Sequence, residues 1–254
     1  MAEVGGPAMK AEFDTVAAWT AEVALDLGPD HYLPAGCRGS GSPGALRWFL
    51  DRLAITSQDR MLDCGAGVGG PAAYAAQETG VRPILSEPEA GACVASRQLF
   101  GLPVVQAASE LPLAAGSFDV VWSLGVLCTV PDQPQLLREL RRVLTPQGRL
   151  GLLVFVAADP PLTDPPDGNS FPTEAGLRAM VAAARLQIED SGSQRDYAGL
   201  PDFWADRAAA VDEALERRHG ADPVWQTAQE QSRKIGRLLA SGELVGTMLF
   251  ARPR

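Results

Sequence analysis

Apolar positions recur at helical spacing in several stretches of this chain, and short apolar runs of strand length separate them. The spacing predicts an N-terminal helix, and Ser42 followed by Pro43 is typical of the start of a second helix. From Met61 onward, strand-like and helix-like stretches alternate, which is the order expected for strands joined by crossover helices. The predicted helices cover 11–27, 42–53, 71–76, 88–100, 132–146, 173–184, 201–220 and 222–242.

The apolar runs between the helices predict the strands of one sheet. The run from Arg149 to Ala157 is almost unbroken, as expected for a strand that is covered on both faces. The last run, Leu244 to Arg252, alternates apolar and polar positions. We therefore expect an α/β fold with a doubly wound, seven-stranded, mostly parallel sheet whose last strand is antiparallel. The predicted strands cover 61–63, 82–87, 102–107, 117–123, 149–157, 186–190 and 244–252.

The order of elements divides the chain into a core and two helical additions. Residues 1–56 form a predicted N-terminal helical cap, and residues 57–198 form the predicted core. A helical pair in 199–242 interrupts the core as a predicted lid insertion, and residues 243–254 return to it as the last strand. We expect a single structural domain with a cap, which suits a length of 254 residues.

A glycine-rich turn follows the first predicted strand. Gly65, Gly67 and Gly70 satisfy the G-x-G-x-x-G spacing of dinucleotide-binding turns. Glycine lets the backbone turn sharply and lets a ligand approach, and the next helix directs unpaired N–H groups toward that ligand. Asp63 ends the strand, where a parallel sheet faces its ligand crevice. The pattern favours a nucleotide-type ligand, and it leaves open which ligand binds and whether the turn is only structural.

The charge balance argues against nucleic acid as a partner. The formal net charge is −9, whereas non-specific binding to phosphates relies on lysine and arginine. The acidic balance favours a neutral or cationic small-molecule substrate over a phosphorylated one.

The sequence predicts no targeting signal, membrane span or metal site. The first residues lack an apolar signal segment, and no apolar run approaches the length of a membrane span. The four cysteines form no C-x-x-C pair and the chain has two histidines, so we expect no metal. We expect a cytoplasmic protein with buried free thiols and no membrane partner, either a monomer or a homodimer.

Several motifs occur together in a specific order, namely Asp63–Gly67, Ser109–Leu113, Gly116–Val121 and Leu137–Leu150. Together they resemble the class I S-adenosylmethionine-dependent methyltransferases that act on small molecules, of the methyltransferase domain 11 type. The resemblance runs from about Met61 to Val156, and it implies that 57–198 is a Rossmann-like core that binds S-adenosylmethionine. It also implies methyl transfer to N, O, C or S of a small-molecule acceptor.

The resemblance implies which residues contact the cofactor. The turn after Asp63 would bind the methionine part, and Glu87, about twenty residues beyond the glycines, would bind the ribose hydroxyls. Arg38, before the core, is a candidate for holding the cofactor carboxylate, with a surface arginine as the alternative. The predicted cofactor-binding residues are Arg38, Asp63, Gly65, Ala66, Gly67, Glu87, Pro88, Ala108, Ser109, Glu110, Ser123 and Leu124.

Two positions depart from the family's pattern. Many relatives carry an acidic residue at the end of the third strand, where this chain has Ala107 and Ala108. We therefore expect backbone groups and Ser109 to recognise adenine. Relatives often have a histidine where Cys128 stands, which removes one candidate for a base or a substrate contact.

His31 and Tyr32 are the predicted catalytic residues. Methyl transfer to an amine or thiolate mainly requires alignment and exclusion of water, whereas a phenol or a carbon acid needs a base. His31 lies in a predicted loop, in the region that covers the active site in this family, and an ordinary loop histidine is the alternative. We expect His219 to complement a helix dipole instead.

Two other functions stay open beside methyl transfer. The glycine spacing also fits an NAD(P)-dependent oxidoreductase, and the resemblance also fits a non-catalytic methyltransferase-like binding domain. The cap and the insertion carry aromatic residues, among them Phe203, Trp204 and Trp225. We therefore expect the inserted helices to close as a lid over a flat or hydrophobic metabolite.

Overall fold

A computed structural model describes residues 11–39 and 42–254. The strands are β1 (Met61–Cys64), β2 (Ile84–Glu87), β3 (Val104–Gln106), β4 (Phe118–Leu124), β5 (Leu144–Ala157), β6 (Leu186–Ser193) and β7 (Leu244–Pro253). They form one seven-stranded sheet in the order β3-β2-β1-β4-β5-β7-β6. The first five strands are parallel, and β7 is antiparallel to both of its neighbours. The predicted fold class and the antiparallel last strand are therefore confirmed.

Helices lie on both faces of this sheet. Further helices precede β1 in the cap or lie between β6 and β7 as the inserted pair. Ser42 caps the third of them by accepting a hydrogen bond from the Ala45 N–H, as its position predicts. No helix in the described ranges is long and apolar enough to span a bilayer. The α-helices are α1 (Ala17–Leu27), α2 (Tyr32–Gly36), α3 (Pro43–Leu53), α4 (Gly70–Thr79), α5 (Ala90–Phe100), α6 (Gln133–Val143), α7 (Glu174–Ala183), α8 (Asp202–His219) and α9 (Pro223–Ser241).

The strand order reverses between β1 and β4. After β3 at one edge, the chain returns to the middle of the sheet, where β4 pairs in parallel with the other side of β1. In such sheets, the ligand crevice forms at the carboxyl ends of the strands where the order reverses. The turns that leave β1 and β4 therefore border the candidate ligand site.

The end of α6 differs from its prediction. The sequence predicts a helix that ends at Pro146 and Gly148, but α6 ends at Val143 and both residues lie within β5. Leu144 pairs with Phe118, and regular pairing resumes only at Arg149, opposite Val120. The stretch between is irregular because proline has no N–H to donate to a ladder.

The segment after α1 is more helical than its turn-forming residues predict. Gly28, with a φ of 98°, ends α1, and Pro29–His31 then form a 3₁₀ turn that leads into α2. Both Pro29 and Pro34 lie in first turns of helices, where the missing N–H costs no hydrogen bond. The prediction that His31 lies in a loop is therefore wrong. Residues 40 and 41 of this segment lie outside the described ranges.

The sheet buries apolar side chains on both faces. Met61 and Trp122 belong to a cluster with Phe49 of α3, whereas Leu62 and Val121, one position away in each strand, belong to a cluster with the leucine stripe of α6. Successive residues of a strand point to opposite faces, so both faces need apolar residues. This is why the strands read as almost unbroken apolar runs.

The cap and the inserted helices share a third apolar cluster. Ala24 of α1, Leu99 of α5, Leu215 of α8 and Trp225 of α9 are all buried in it. The insertion therefore packs on the cap and on the outer surface of the core. Its movement as a lid stays a prediction.

The cap and the core also meet through two glycines. A Cβ on Gly70, the first residue of α4, would overlap the carbonyl carbon of Gly36 and would lie 2.5 Å from the Cys37 nitrogen. Only glycine permits this approach, which brings the end of α2 against the start of α4.

We expect Gly70→Ala to lower the free energy of unfolding by about 1–3 kcal/mol, because the added methyl group meets backbone atoms. Gly236→Ala is the matched control. Gly236 is inside α9, where an added methyl group would meet no atom within 4 Å, so this change should raise stability by about 0.5–1 kcal/mol. Urea unfolding of the three proteins measures both effects, and equal stabilities would contradict the close contact.

Candidate functional site

The glycine turn after β1 depends on backbone conformations that favour glycine. Gly65, Gly67 and Gly69 have φ values of 76°, 53° and 89°, a region that other residues rarely adopt. The N–H groups of Gly65 and Ala66 donate to the Ser86 carbonyl oxygen at 2.8 and 3.1 Å. These bonds fix the turn against the end of β2, and space is open beside Gly67, where a Cβ would meet no atom within 4 Å.

Glu87, the last residue of β2, is held by the same turn. Its Oε2 accepts a hydrogen bond from the Gly67 N–H at 2.8 Å, and its Oε1 accepts one from the Glu89 N–H at 3.1 Å. The side chain is 5 % exposed. Burial raises the pKa of Glu87 to about 7, although the two backbone donors oppose the shift. The glutamate is thus pre-positioned beside the glycines, as the sequence predicts.

Asp63 is a second buried acid at this edge. It is 2 % exposed, and its Oδ2 has no hydrogen-bond partner among the described residues. Burial raises the pKa of Asp63 to about 7. The nearby Trp122 indole N–H, which also lacks a partner at hydrogen-bond distance among the described residues, opposes this rise, and the charge of Glu87 adds to it. A buried acceptor without a partner is costly, so this site suits a ligand that donates hydrogen bonds or carries positive charge.

The end of β4 forms the other wall of the crevice. Ser123 is buried, and its hydroxyl donates to the Cys64 carbonyl oxygen at 2.9 Å, which ties β4 to β1. Leu124 is buried in the cluster of α3. The next residues close over the turn, since a Cβ on Gly65 would overlap a methyl carbon of Val126. The sequence gives no signal for this Val126 contact, because it depends on how two loops pack.

The predicted adenine-binding residues follow β3 at the same edge. Ala108 and Glu110 are exposed and Ser109 is half-buried, so this side of the crevice is open. The Ala107 N–H donates to the Glu87 carbonyl oxygen at 3.1 Å, and the Pro88 carbonyl oxygen accepts from the Gln106 side chain at 3.0 Å. These bonds hold the segment after β3 beside Glu87.

Arg38 reaches away from the glycine turn. Its guanidinium forms an ion pair with Asp212 of α8 at 3.0 Å and a hydrogen bond to the Thr20 hydroxyl at 3.4 Å. The neighbouring Cys37 is buried and lies near Asp63. Burial, and to a lesser degree the Asp63 charge, raises the pKa of the Cys37 thiol. The chain next to Arg38 therefore borders the glycine turn, and a contact of the Arg38 side chain with a cofactor stays a prediction.

His31 and Tyr32 lie at the start of α2. The Nδ1 atom of His31 is buried and has no hydrogen-bond partner among the described residues. The ring of Tyr32 contacts Phe100 edge to face, with centroids 6.5 Å apart. Because α5 starts next to Glu87 and ends at Phe100, Tyr32 lies toward the far end of that helix. A catalytic role for either residue stays a prediction.

Cys128, where the family resemblance leads us to expect histidine, has a structural contact. Its thiol is buried and donates to the Phe155 carbonyl oxygen at 3.2 Å. The described residues contain no group of three or more histidine, cysteine or acidic side chains that would hold a metal ion.

Comparison with known proteins gives a family for the central part of the chain. Residues 62–152 match the methyltransferase domain family. The chain is also 36% identical, over 128 residues, to the 27-O-demethylrifamycin SV methyltransferase of Amycolatopsis mediterranei, a match that covers 44% of this chain and 46% of that protein. The chain thus spans less than half the length of the first curated relatives it matches.

Solved structures share the fold over most of the chain. An S-adenosylmethionine-dependent methyltransferase from Thiobacillus denitrificans, crystallised with S-adenosylhomocysteine, has a TM-score of 0.62 and 15% identity, covering 85% of this chain and 93% of the other. The [4+2]-cyclase SpnF has a TM-score of 0.65 and 20% identity, covering 82% and 79% of the two chains. At these identities the likeness shows the fold alone.

The two raised acid pKa values lead to a prediction about stability. An acid whose pKa is raised on folding keeps a proton that the unfolded chain has released, so its contribution to stability falls as the pH rises from about 4 to 7. Asp63→Asn removes one such group. We expect wild type to lose about 1–4 kcal/mol more than Asp63→Asn between pH 4 and pH 8.

Urea unfolding at several pH values measures this difference. Asp132→Asn, at the exposed cap of α6, is the control and should follow wild type, since asparagine caps helices equally well. Parallel pH profiles for wild type and Asp63→Asn would contradict the raised pKa of Asp63.

Proposed function

We propose that this chain, whose residues 62–152 match the methyltransferase domain family, is a class I S-adenosylmethionine-dependent methyltransferase that transfers the methyl group to a small-molecule metabolite. The cofactor is inferred from the family and from the chemistry of the crevice at the β1/β4 reversal. S-adenosylmethionine, when bound, supplies a methyl group activated by a sulfonium. The chain's own residues would bind it, align the acceptor and exclude water.

The buried carboxyl group of Asp63 is the observation that carries this proposal. It lies at the start of the glycine turn, and its Oδ2 lacks a donor among the described residues. The ammonium group of the cofactor's methionine part would supply both a donor and a positive charge. Positive charge beside Asp63 would also favour its ionised form and lower its pKa.

Glu87 would contact the ribose in the nucleoside part of the cofactor. Its two oxygens are already oriented by the Gly67 and Glu89 N–H groups, so it would accept hydrogen bonds from the ribose hydroxyls without reorganising. Ala108, Ser109 and Glu110 would border the adenine, while Ala66, Pro88, Ser123 and Leu124 would line the remaining walls. Arg38 would reach the cofactor carboxylate only after release from Asp212.

Asp63 disfavours a nicotinamide dinucleotide. A pyrophosphate bound at the glycine turn would bring negative charge next to this buried acid. Like charges at this depth repel strongly because little water screens them. The glycine spacing and Glu87 fit both cofactors, because dinucleotide-binding turns also place an acid on the ribose, so Asp63 is the group that disfavours NAD(P).

Methyl transfer also requires the exclusion of water and, for some acceptors, a base. Val126 packs on Gly65, and this contact would shield the methionine end from solvent. If the acceptor is a phenol or a carbon acid, His31, with its free and buried Nδ1, and Tyr32 are the proposed proton acceptors. An amine or thiol acceptor would need neither of them.

Binding without methyl transfer is the second candidate function. The fold is shared with a protein named a [4+2]-cyclase, so the fold does not by itself dictate methyl transfer. Turnover of labelled S-adenosylmethionine against a metabolite library separates the two. Binding of S-adenosylhomocysteine without any transfer across the library would favour the non-catalytic alternative.

We propose the cellular compartment from the state of the cysteines, and the kind of partner from the net charge. The four cysteines are free and buried, which suits a reducing compartment such as the cytoplasm. With a formal net charge of −9, a small-molecule substrate is favoured over nucleic acid. A monomer or a homodimer would be compatible with this role.

We expect Glu87→Ala to weaken binding of S-adenosylhomocysteine by about 1–3 kcal/mol, because ribose hydroxyls would lose their acceptor. Calorimetry with the folded variant measures the change. Glu174→Ala, on the exposed start of α7, is the control and should bind like wild type. Unchanged affinity of Glu87→Ala would show that Glu87 does not contact the cofactor. If wild type binds NADH more tightly than S-adenosylhomocysteine, the cofactor assignment is wrong.

We expect α8 and α9 to gain protection from hydrogen exchange across 202–240 when cofactor and substrate bind, as a lid does on closing. The ion pairs Arg207–Asp30 and Arg218–Asp26 join α8 to the cap at 3.0 and 2.7 Å, so α1 should gain protection with them. The exposed helix α7 serves as the internal reference. Equal protection of 202–240 with and without ligands would show that these helices are static packing.

A further inference from the structure

A cavity of about 570 Å³ lies between the cap and the inserted helices. Trp225, Gln229 and Ser232 recur at helical spacing on one face of α9 and form one wall. A cluster of charged residues on α8 forms the opposite wall, and Arg38 of the cap lines it as well. The volume is in the range of sites for small metabolites. The α8 residues that line the cavity are Asp212, Glu213, Glu216 and Arg217.

The charges of this cavity are not balanced. Arg38 pairs with Asp212 at 3.0 Å, and Arg217 pairs with Glu213 at 3.7 Å. No arginine, lysine or histidine of residues 11–39 and 42–254 forms an ion pair with Glu216. The exposed carboxylate of Glu216 is therefore the one negative group of the cavity lining that lacks a cationic partner among the described residues.

Glu216 is also fixed in orientation. The Trp225 indole N–H donates to its Oε2 at 2.5 Å. Trp225 is 2 % exposed and is held in the apolar cluster of the cap. Because the indole is almost fully buried, it holds the carboxylate in place, and the carboxylate is the group that can accept hydrogen bonds from a cation on an organic ligand.

The cavity borders the cofactor crevice through the residues around Arg38. Cys37, its chain neighbour, lies close enough to Asp63 for the aspartate charge to affect the thiol. On the other side of Arg38, the Gly39 carbonyl oxygen lies 3.2 Å from the Cβ position of Gly125, in the turn after β4. One short segment thus forms a wall of both sites.

We propose that this cavity binds the methyl acceptor and recognises it through a cationic amino group held by Glu216. The identification of the ligand as the methyl acceptor rests on the proposed function. The cavity and the charge of Glu216 do not depend on the reaction. Trp225, which is almost fully buried, would orient Glu216 through its indole N–H rather than offer its face to the ligand. The amino group is a recognition element and need not be the atom that is methylated.

The test uses the indole ¹⁵N–¹H signals of the full chain saturated with S-adenosylhomocysteine. The chain has five tryptophans, and Trp225→Phe assigns the relevant signal. Phenethylamine is the cationic probe and 3-phenylpropionate is the anionic probe of similar size. We expect the Trp225 signal to shift and saturate with phenethylamine and not with 3-phenylpropionate.

Two variants test the charge itself. Glu216→Gln keeps an oxygen for the Trp225 N–H but removes the charge, and it should weaken phenethylamine binding at least about tenfold. Glu213→Gln removes a carboxylate that Arg217 already balances, and it should change binding by less than about twofold. The inference is overturned if the amine causes no shift, if the anionic probe binds as well, or if Glu216→Gln binds the amine like wild type.

A failure of this inference is distinguishable from a failure of the proposed function. Calorimetry with S-adenosylhomocysteine tests the cofactor site alone. If the cofactor product does not bind, the same titrations on the protein without it still decide whether the cavity takes a cationic amine. If it binds and the amine does not, only the acceptor class is wrong.

Discussion

Two buried carboxyl groups at the ends of β1 and β2 determine what this sheet edge can bind. Taking a carboxylate out of water is costly, and burial raises the pKa of both Asp63 and Glu87 to about 7. Glu87 is stabilised by two backbone N–H groups of its surroundings, whereas the Oδ2 of Asp63 has no partner among the described residues. The edge is therefore complementary to a ligand with hydroxyl donors on one side and a cation on the other. S-adenosylmethionine combines both.

The glycine turn brings the backbone close to these two acids. Positive φ values at Gly65, Gly67 and Gly69 allow one short loop to bond to the end of β2, to orient Glu87 and to leave space for a ligand. The same lack of side chains lets Val126 cover Gly65 and lets α2 approach Gly70. A single local constraint thus connects the core to the cap, and the contacts around it form the walls of the crevice.

The cap and the inserted helices are joined to each other by apolar and ionic contacts. They share one apolar cluster, and they are joined by ion pairs that link Asp26, Asp30 and Arg38 to α8. Asp14 of the cap also accepts a hydrogen bond from the Gly91 N–H at 2.6 Å, beside the start of α5. Since the core fold supports more than one reaction, we propose that these added helices select the acceptor. The Glu216 carboxylate in their cavity is the recognition group of that proposal.

The sequence by itself determined the sheet, the glycine turn and the position of Glu87, because each depends on residues close together in the chain and on the alternation of strand and helix patterns. It also determined the order of the inserted helices between β6 and β7. It did not determine that His31 lies in a helical turn, that Pro146 lies in β5, or that Arg38 pairs with Asp212. Those features, like the Trp225–Glu216 hydrogen bond and the packing of Val126 on Gly65, require segments that are distant in sequence to meet, or local preferences to yield to packing. Only the tertiary structure decides them, because side-chain contacts between distant elements leave no periodic signal in the chain.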